Sequence, residues 1–505
     1  MASPGRSRSG CERWRPPRLE DRAIGNPGRN TPAAEPVLDR PRRTLAARLP
    51  CIVLLLGLLG AVPLTVLTPP LQAPDEMQHF ARAYQVSEGG VRTSIVGDAA
   101  GAVLPSSLVD MTEHFLGTRL LHPLDRVPRL GLRAIWRYRG VPLAPQVRAF
   151  VPFSLAALYP PWAYAPQAAG IALARAAGAG PLMLLTMARL ANAVVAVVLI
   201  ALAVRITPVG KAAFAWAGLL PMASFEYASA ASDALLISST FVFTALVLEI
   251  RRRGTVSAGA SAGAVACALA FCVIKPVYAP LLLLPAPLRP PPLLRGSRRT
   301  GRLLLFQAML LAVVLGCSAT WLHYAAGSFV PGKPGTDPAA QMGYLIQHPI
   351  RTAVLMASTA VHSGPALLHG MVGVLGWVSV PLPRLGYALA ALGLLSSLAA
   401  EPLPARPSGQ VIWDALLVVA GSVLVVAALY AYWNPVGSPM VDGLQGRYFL
   451  PLLPAALAAF GAAVPIRTVA NVRRAALATT LAVILLEGLV TSWTVQQAFG
   501  AFQPG

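Results

Sequence analysis

Apolar runs of roughly 20 residues, separated by short arginine-bearing loops, constrain this chain more than any other feature. The first extends from about Ala46 to Leu67 and would reach roughly 30 Å as a helix, the thickness of a bilayer core. Others lie at about 181 to 204, 211 to 225, 233 to 250, 257 to 273, 276 to 288, 302 to 324, 383 to 402, 411 to 432, 448 to 466 and 474 to 495. Within lipid a spanning segment must satisfy its own backbone, and a helix does so. The chain therefore predicts an all-α polytopic membrane protein of about eleven transmembrane helices. The range is about 10 to 13, because 257 to 288 reads either as two crossings or as one helix kinked at Lys275-Pro276. With 55% apolar and 12% charged residues, the chain is too hydrophobic for a soluble fold.

The net charge of +21 does not mark a nucleic-acid partner. Its arginines sit in a polar N-terminal arm and in the loops, which is the distribution that sets membrane orientation. Residues 1–45 are rich in Arg, Pro and Gly, cannot bury a core and read as a disordered cytoplasmic arm. Its length argues for an uncleaved anchor at the first run. Residues 68–180 read as one large extracytoplasmic loop, because the apolar piece Ala168 to Ala177 is too short to cross. A second large outer loop, 325–382, holds a surface helix at about 350 to 377, and 497–505 is a short tail. With the arm inside, the inner loops carry Arg205 and Lys211, Arg251-Arg252-Arg253, Arg295 to Arg302, Arg406, and Arg467 with Arg473-Arg474, as the positive-inside rule requires. Five cysteines show neither zinc spacing nor a disulfide framework.

This parity collects polar residues on the outer side: Asp75, Glu76, His79, Tyr159, Gln167, Glu226, Asp233, Lys275, His323, Tyr324, His348, Trp377, Trp433, Asn434, Gln445 and Arg447. Ionisable groups at helix ends in a membrane protein face protein or water, so the asymmetry predicts an outward-facing polar site. The stretch from Pro69 to Phe80 is its centre. Asp75 and Glu76, with His79, sit where the first helix surfaces, and such a set serves as general base, metal ligand or cation anchor. Asp75 with Gln78 also reads as a capping box that merely starts a surface helix. Asp233 heads the fourth run, either as a helix cap or as a second acid. Lys275 would neutralise a phosphate or snorkel to the interface. In Gln445-Gly446-Arg447-Tyr448, the arginine at a helix start is an anion clamp or a headgroup anchor, and Gly443 and Gly446 allow close backbone approach to a ligand.

The motifs Pro74-Asp75-Glu76 with His79-Phe80, Tyr164 with Pro166-Gln167, Ser232-Asp233, Lys275-Pro276 with Tyr278, Leu375-Gly376-Trp377, and Gln445-Gly446-Arg447-Tyr448-Phe449 occur in this order. In this they resemble the bacterial membrane-protein family called domain of unknown function 2142, over about residues 46–496. The layout is also similar to the GT-C superfamily of membrane glycosyltransferases, whose members carry an acidic residue or pair in a large first outer loop. That resemblance implies a GT-C-like transmembrane domain in the bacterial inner membrane, N-terminus cytoplasmic and active site extracytoplasmic. It also implies a polyprenyl-phosphate-linked sugar donor and a cell-envelope acceptor. Asp75, Glu76 and Asp233 would be catalytic, and His79, Tyr164, Gln167, Lys275, Trp377, Gln445, Arg447 and Tyr448 would bind substrate. Asp75, Glu76 and His79 would hold a divalent cation, Mg or Mn, where one is used. The rival readings are a transporter or flippase of a lipid-linked or small solute, and a non-catalytic scaffold. Neither an internal repeat nor many mid-helix charges favours transport, with Asp414 and Glu487 the exceptions noted.

Overall fold

A computed structural model describes residues 40–117, 131–286, 298–331, 333–401, 406–463 and 468–500. The first helix, α1 (Arg40–Leu67), begins earlier than the composition suggests, so the last residues of the expected arm are helical. Residues 1–39 of that arm, Arg295, Arg467 and residues 501–505 of the tail lie outside the described residues.

The first loop is folded. It contains α2 (Glu76–Ser87), α3 (Ser107–Leu116), α4 (Leu132–Arg137), α5 (Ser154–Ala157) and α6 (Ala165–Ala176). Strands β1 (Ser94–Val96), β2 (Ala99–Pro105) and β3 (Arg148–Pro152) form an antiparallel sheet in the order β1-β2-β3, pairing Ser94 with Gly101 and Gly101 with Pro152. The sheet was not legible in advance, because β2 is mostly Ala and Gly, with Val103 its single β-branched residue, and shows no β-branched alternation. At Gly101 a Cβ would lie 2.2 Å from the Val151 carbonyl oxygen, so the residue's smallness permits the pairing. Helix α6, of 12 residues, is the piece read as too short to cross.

The helices that follow are α7 (Pro181–Ile206), α8 (Lys211–Gly218), α9 (Pro221–Tyr227), α10 (Asp233–Arg253), α11 (Ala258–Cys272), α12 (Arg298–Ala325), α13 (Pro338–Gln347), α14 (Pro349–Gly373), α15 (Arg384–Ala400), α16 (Ser408–Trp433), α17 (Leu453–Ala463) and α18 (Ala470–Phe499). Among the described residues six helices are long and apolar enough to cross a membrane: α1 from Arg48, α7, α10, α12 with the turn after it, α16 and α18. Helices α11 and α15 are apolar but shorter. The piece expected at 211 to 225 is two short helices, divided where Pro221 opens α9, and the Gly218 carbonyl left free there accepts from the Tyr227 hydroxyl at 3.0 Å. The pieces at 276 to 288 and 448 to 466 begin as 3-10 segments, Pro276–Leu283 and Gly446–Leu452, each with a proline inside. Helix α11 ends before Lys275-Pro276, so 257 to 288 is not one continuous helix. Helix α14 is largely exposed, and short strands β4 (Val374–Leu375) and β5 (Val380–Pro381) follow it.

Helix α10 is the hub. Its apolar window is 83% buried, against 22–33% for α1, α12, α16 and α18. It packs against α7, α9, α11, α17 and the Gly446–Leu452 segment. It carries Ser238, Ser239 and Thr240 into the core because each hydroxyl bonds back to a carbonyl three or four residues earlier, at 2.7 to 2.9 Å. Elsewhere small residues allow close helix approach: a Cβ on Gly488 of α18 would lie 3.3 Å from Gly60 Cα of α1. Helices α15 and α18 share a hydrogen bond between Ser396 and Thr480 at 2.9 Å. At the C-terminal end of α10, Arg251 holds Asp414 of α16 through two bonds of 2.8 and 2.7 Å. Asp233 stands at the opposite end, about 30 Å away along the axis.

Candidate functional site

Asp75 and Glu76, adjacent in sequence, take opposite roles. Glu76 is fully buried, and its carboxylate is gripped by Arg189 of α7, Nε to Oε1 at 2.7 Å and Nη2 to Oε2 at 2.5 Å. Its Oε1 also accepts from the Ala230 backbone N–H at 3.0 Å. Arg189 completes its fork on the carbonyls of Thr65, Thr68 and Pro69, the last turn of α1 and the chain just after it. The Glu76 oxygens are thus committed to holding the end of α1, the head of α2 and the 228–232 segment together. Arg189 was missed because one arginine in an apolar run reads as incidental; Asn192, one turn on, was the available signal of a polar face. Its side chain donates to the carbonyls of Ser229 and Ala231 at 2.8 and 3.0 Å. Gln167 donates to the Ala230 and Ala231 carbonyls at 3.3 and 3.0 Å. Glu76, Asn192 and Gln167 therefore clamp the segment leading into Asp233.

Asp75 is free of that framework. It heads α2 with φ of 59° and makes no side-chain cap hydrogen bond, so the capping-box reading fails. Its carboxylate, 31% exposed, lies 3.5 Å from Arg447 Nη2. Among the described residues only Leu71, Asp75 and Val378 lack a Cα hydrogen pair yet have positive φ. Two of these segments meet: Trp377, beside Val378, donates its indole N–H to the Leu71 carbonyl at 3.2 Å. Such backbone costs of order 1–3 kcal/mol per residue and persists where surrounding contacts hold it, a pattern that gathers at functional sites.

Around Asp75 stands a cluster of charges. Arg447, 5% exposed, also donates to Glu226 of α9 at 3.0 Å, while its Nε and Glu226 Oε2 are buried and have no hydrogen-bond partner among the described residues. Lys275, in the turn after α11, pairs with Asp233 at 2.5 Å and lies over the rings of Tyr159 and Tyr448, 5.8 and 5.4 Å from their centroids. His79 Nδ1 meets the Tyr164 hydroxyl at 2.7 Å, and its ring stacks on Tyr159 at 5.9 Å. Burial, opposed by the charges of Asp233 and Asp75, brings the His79 pKa down to about 4, so the imidazole is neutral at pH 7. Tyr448 is fixed through its carbonyl, which accepts from the Tyr278 hydroxyl at 2.7 Å.

Of the expected site residues, the structure brings together Asp75, His79, Tyr164, Asp233, Lys275, Arg447 and Tyr448, and adds Glu226 and Tyr159. Glu76, Gln167 and Trp377 form the support beneath. Gln445 is next to the cluster in sequence, and its buried Oε1 has no hydrogen-bond partner among the described residues. Gly446 and Gly443 serve the fold rather than a ligand. A Cβ on Gly446 would lie 2.2 Å from the Leu367 carbonyl oxygen and the Met371 nitrogen of α14, and one on Gly443 would lie 2.7 Å from the Trp433 indole nitrogen. His323, His348, Trp433 and Asn434 are not part of the cluster; Asn434, for instance, ties down the backbone of Asp442. The set Asp75, Glu76 and His79 does not suit a divalent cation. Glu76 is engaged by Arg189, His79 turns Nδ1 to Tyr164, and Asp75 faces a guanidinium. Among the described residues no three His, Cys, Asp or Glu side chains are grouped as metal ligands.

The sequence pattern of one family, described as "Predicted membrane protein (DUF2142)", matches residues 58–456. The chain belongs to the DUF2142 family. No curated protein and no solved structure matched. The match encloses every residue of the cluster from Asp75 to Tyr448, so in this DUF2142 protein the cluster lies inside the family region. The Arg251 to Asp414 pair at the other end of the helices lies inside it as well.

Proposed function

We propose that this DUF2142 protein is a GT-C-like glycosyltransferase, with about eleven crossings of a bacterial inner membrane and a site on the extracytoplasmic face. The donor would be a polyprenyl-phosphate-linked sugar and the acceptor a hydroxyl of the cell envelope. The observation that carries this reading is Asp75: a partly exposed carboxylate on a strained backbone, opposite the buried Arg447. In the reaction the acceptor oxygen forms a bond to the anomeric carbon while the carbon–oxygen bond to phosphate breaks. The electron pair leaves with the polyprenyl phosphate, and the acceptor proton passes to Asp75. Arg447, with its unpartnered Nε, and Lys275 are the cations available to the departing phosphate, and Asp233 keeps Lys275 in place. Glu76 is assigned a positioning role. No step requires a divalent cation.

A transporter of a lipid-linked or small solute is the second reading, favoured by Glu487. This carboxyl lies in the middle of α18, is 1% exposed, and faces the Trp216 indole N–H with no charged partner among the described residues. Ionisable groups at such depth often mark proton or solute pathways. The decisive experiment is incorporation of radiolabelled sugar from polyprenyl-phosphate donors by membranes holding the wild-type chain or Asp75→Asn. Incorporation that is lost in the variant supports the transferase. Folded wild-type protein that consumes no donor, together with solute flux abolished by Glu487→Gln, supports transport instead.

A further inference from the structure

The strip of chain that carries Tyr159 also borders a cavity of about 270 Å³ that plays no part in the chemistry above. Its lining comes from the first loop, through Val91, Arg92, Thr93 and Ala157, and from the end of α12, through Trp321 and Tyr324 with the turn that follows. Two contacts hold these walls together: Arg92 Nε donates to the Tyr324 hydroxyl at 3.0 Å, and the Thr93 and Ser328 hydroxyls meet at 2.6 Å. Trp321 is anchored by its indole N–H on the Leu158 carbonyl at 2.8 Å. Ala157, on the cavity, and Tyr159, facing Lys275 and His79, are two positions apart, so the two sites share one strip of chain.

The lining combines three chemistries. Trp321 and Tyr324, with ring centroids 5.2 Å apart, offer π faces to weakly positive C–H groups. Thr93, Ser328 and Tyr324 bring hydroxyls that both donate and accept. Arg92 lies 5.7 Å from the Tyr324 ring and meets no carboxylate among the described residues. A ring with C–H faces, an equatorial set of hydroxyls and one acidic group would satisfy all three. The volume lies just under the range of about 300–1,000 Å³ usual for small-molecule sites, which suits one ring and not a chain of them.

We propose that this cavity binds a single pyranose ring bearing an acidic group, with the acid on Arg92 and the ring against Trp321 and Tyr324. Its role as the acceptor's docking point rests on the transferase reading; the binding itself does not. The test uses the full chain in detergent, with methyl β-glucuronide, methyl β-glucoside and inorganic phosphate as probes, read by saturation-transfer NMR and tryptophan fluorescence. The expected result is saturable binding of the glucuronide, weakened about 10-fold or more by Arg92→Gln, weaker for the glucoside, and unchanged by Asp75→Asn. Absence of saturable sugar binding by folded protein overturns the proposal, as does equal binding in R92Q. Phosphate that competes as well as the glucuronide also overturns it, making the cavity a phosphate site. Glucuronide binding without any Asp75-dependent transfer sinks the transferase reading alone. Transfer without binding sinks only the cavity.

Discussion

Arg189 holds Glu76 through two hydrogen bonds, 2.7 and 2.5 Å long, between side chains 113 positions apart. With Arg189 3% and Glu76 0% exposed, the pair has no recourse to water if one partner is lost. Removing one member of a buried pair costs about 3–5 kcal/mol, because the other charge remains uncompensated. Arg189→Met and Glu76→Gln are therefore expected to lower the thermal midpoint in detergent sharply. The double variant E76M/R189M should recover part of that loss. A midpoint unchanged in either single variant would show that the pair does not hold the site.

Asp75 should behave in the opposite way. Among the described residues its side chain makes one hydrogen bond, at 3.5 Å, and asparagine tolerates the left-handed backbone, so Asp75→Asn is expected to change stability by no more than about 0.5 kcal/mol. Transfer, in contrast, should fall about 10²–10⁴-fold, the usual contribution of a general base. Thermal unfolding beside the radiolabel assay separates the two effects. A variant that keeps full transfer removes Asp75 from the reaction.

His79 lends the fold an acid sensitivity. Its pKa falls from 6.5 to about 4 on folding, mainly through burial, so below 6.5 the unfolded chain binds the proton more tightly. The contribution of His79 to stability is thus fully present above 6.5 and is lost as the pH drops through that value toward about 4. Between about pH 7 and about pH 5 the loss is about 2 kcal/mol. Melting curves across this window should show it in wild type and a flatter response in His79→Gln. An identical slope in both would locate the sensitivity elsewhere.

Gly446 is predicted to reject a side chain. Gly446→Ala sets its Cβ 2.2 Å from two backbone atoms of α14, neither of which can rotate away, so α14 or the Arg447 segment must shift. A cost of about 1–3 kcal/mol, with loss of transfer, is expected. Gly370→Ala, across the same contact, meets its nearest atom at 3.2 Å and should be milder. Midpoints for the two variants check the order.

The sides of the membrane are open to direct test. In a chain whose five native cysteines are replaced by alanine, Ser94→Cys in β1 should react with an impermeant maleimide in intact cells. Arg473→Cys at the start of α18 should react only after permeabilisation. Both positions are exposed, so the reverse pattern would invert the proposed orientation.

Much of this protein is local and was legible in the chain alone. Hydropathy over about 20 residues marks helices because lipid forces each segment to satisfy its own backbone. The order of the motifs indicates the family, and the loops place Asp75, Asp233, Lys275 and Arg447 at one set of helix ends, where the structure joins them. What remained undecided is non-local. Nothing in the string Pro74-Asp75-Glu76 distinguishes its two carboxylates. Arg189, from a helix more than a hundred residues away, takes Glu76 out of play, and a left-handed turn aims Asp75 at Arg447. Likewise Gly446 looked like room for a ligand until α14 filled the space. A side chain's partners are set by which helices pack together, and that depends on shape and charge across the whole bundle, so only the tertiary structure could assign these roles.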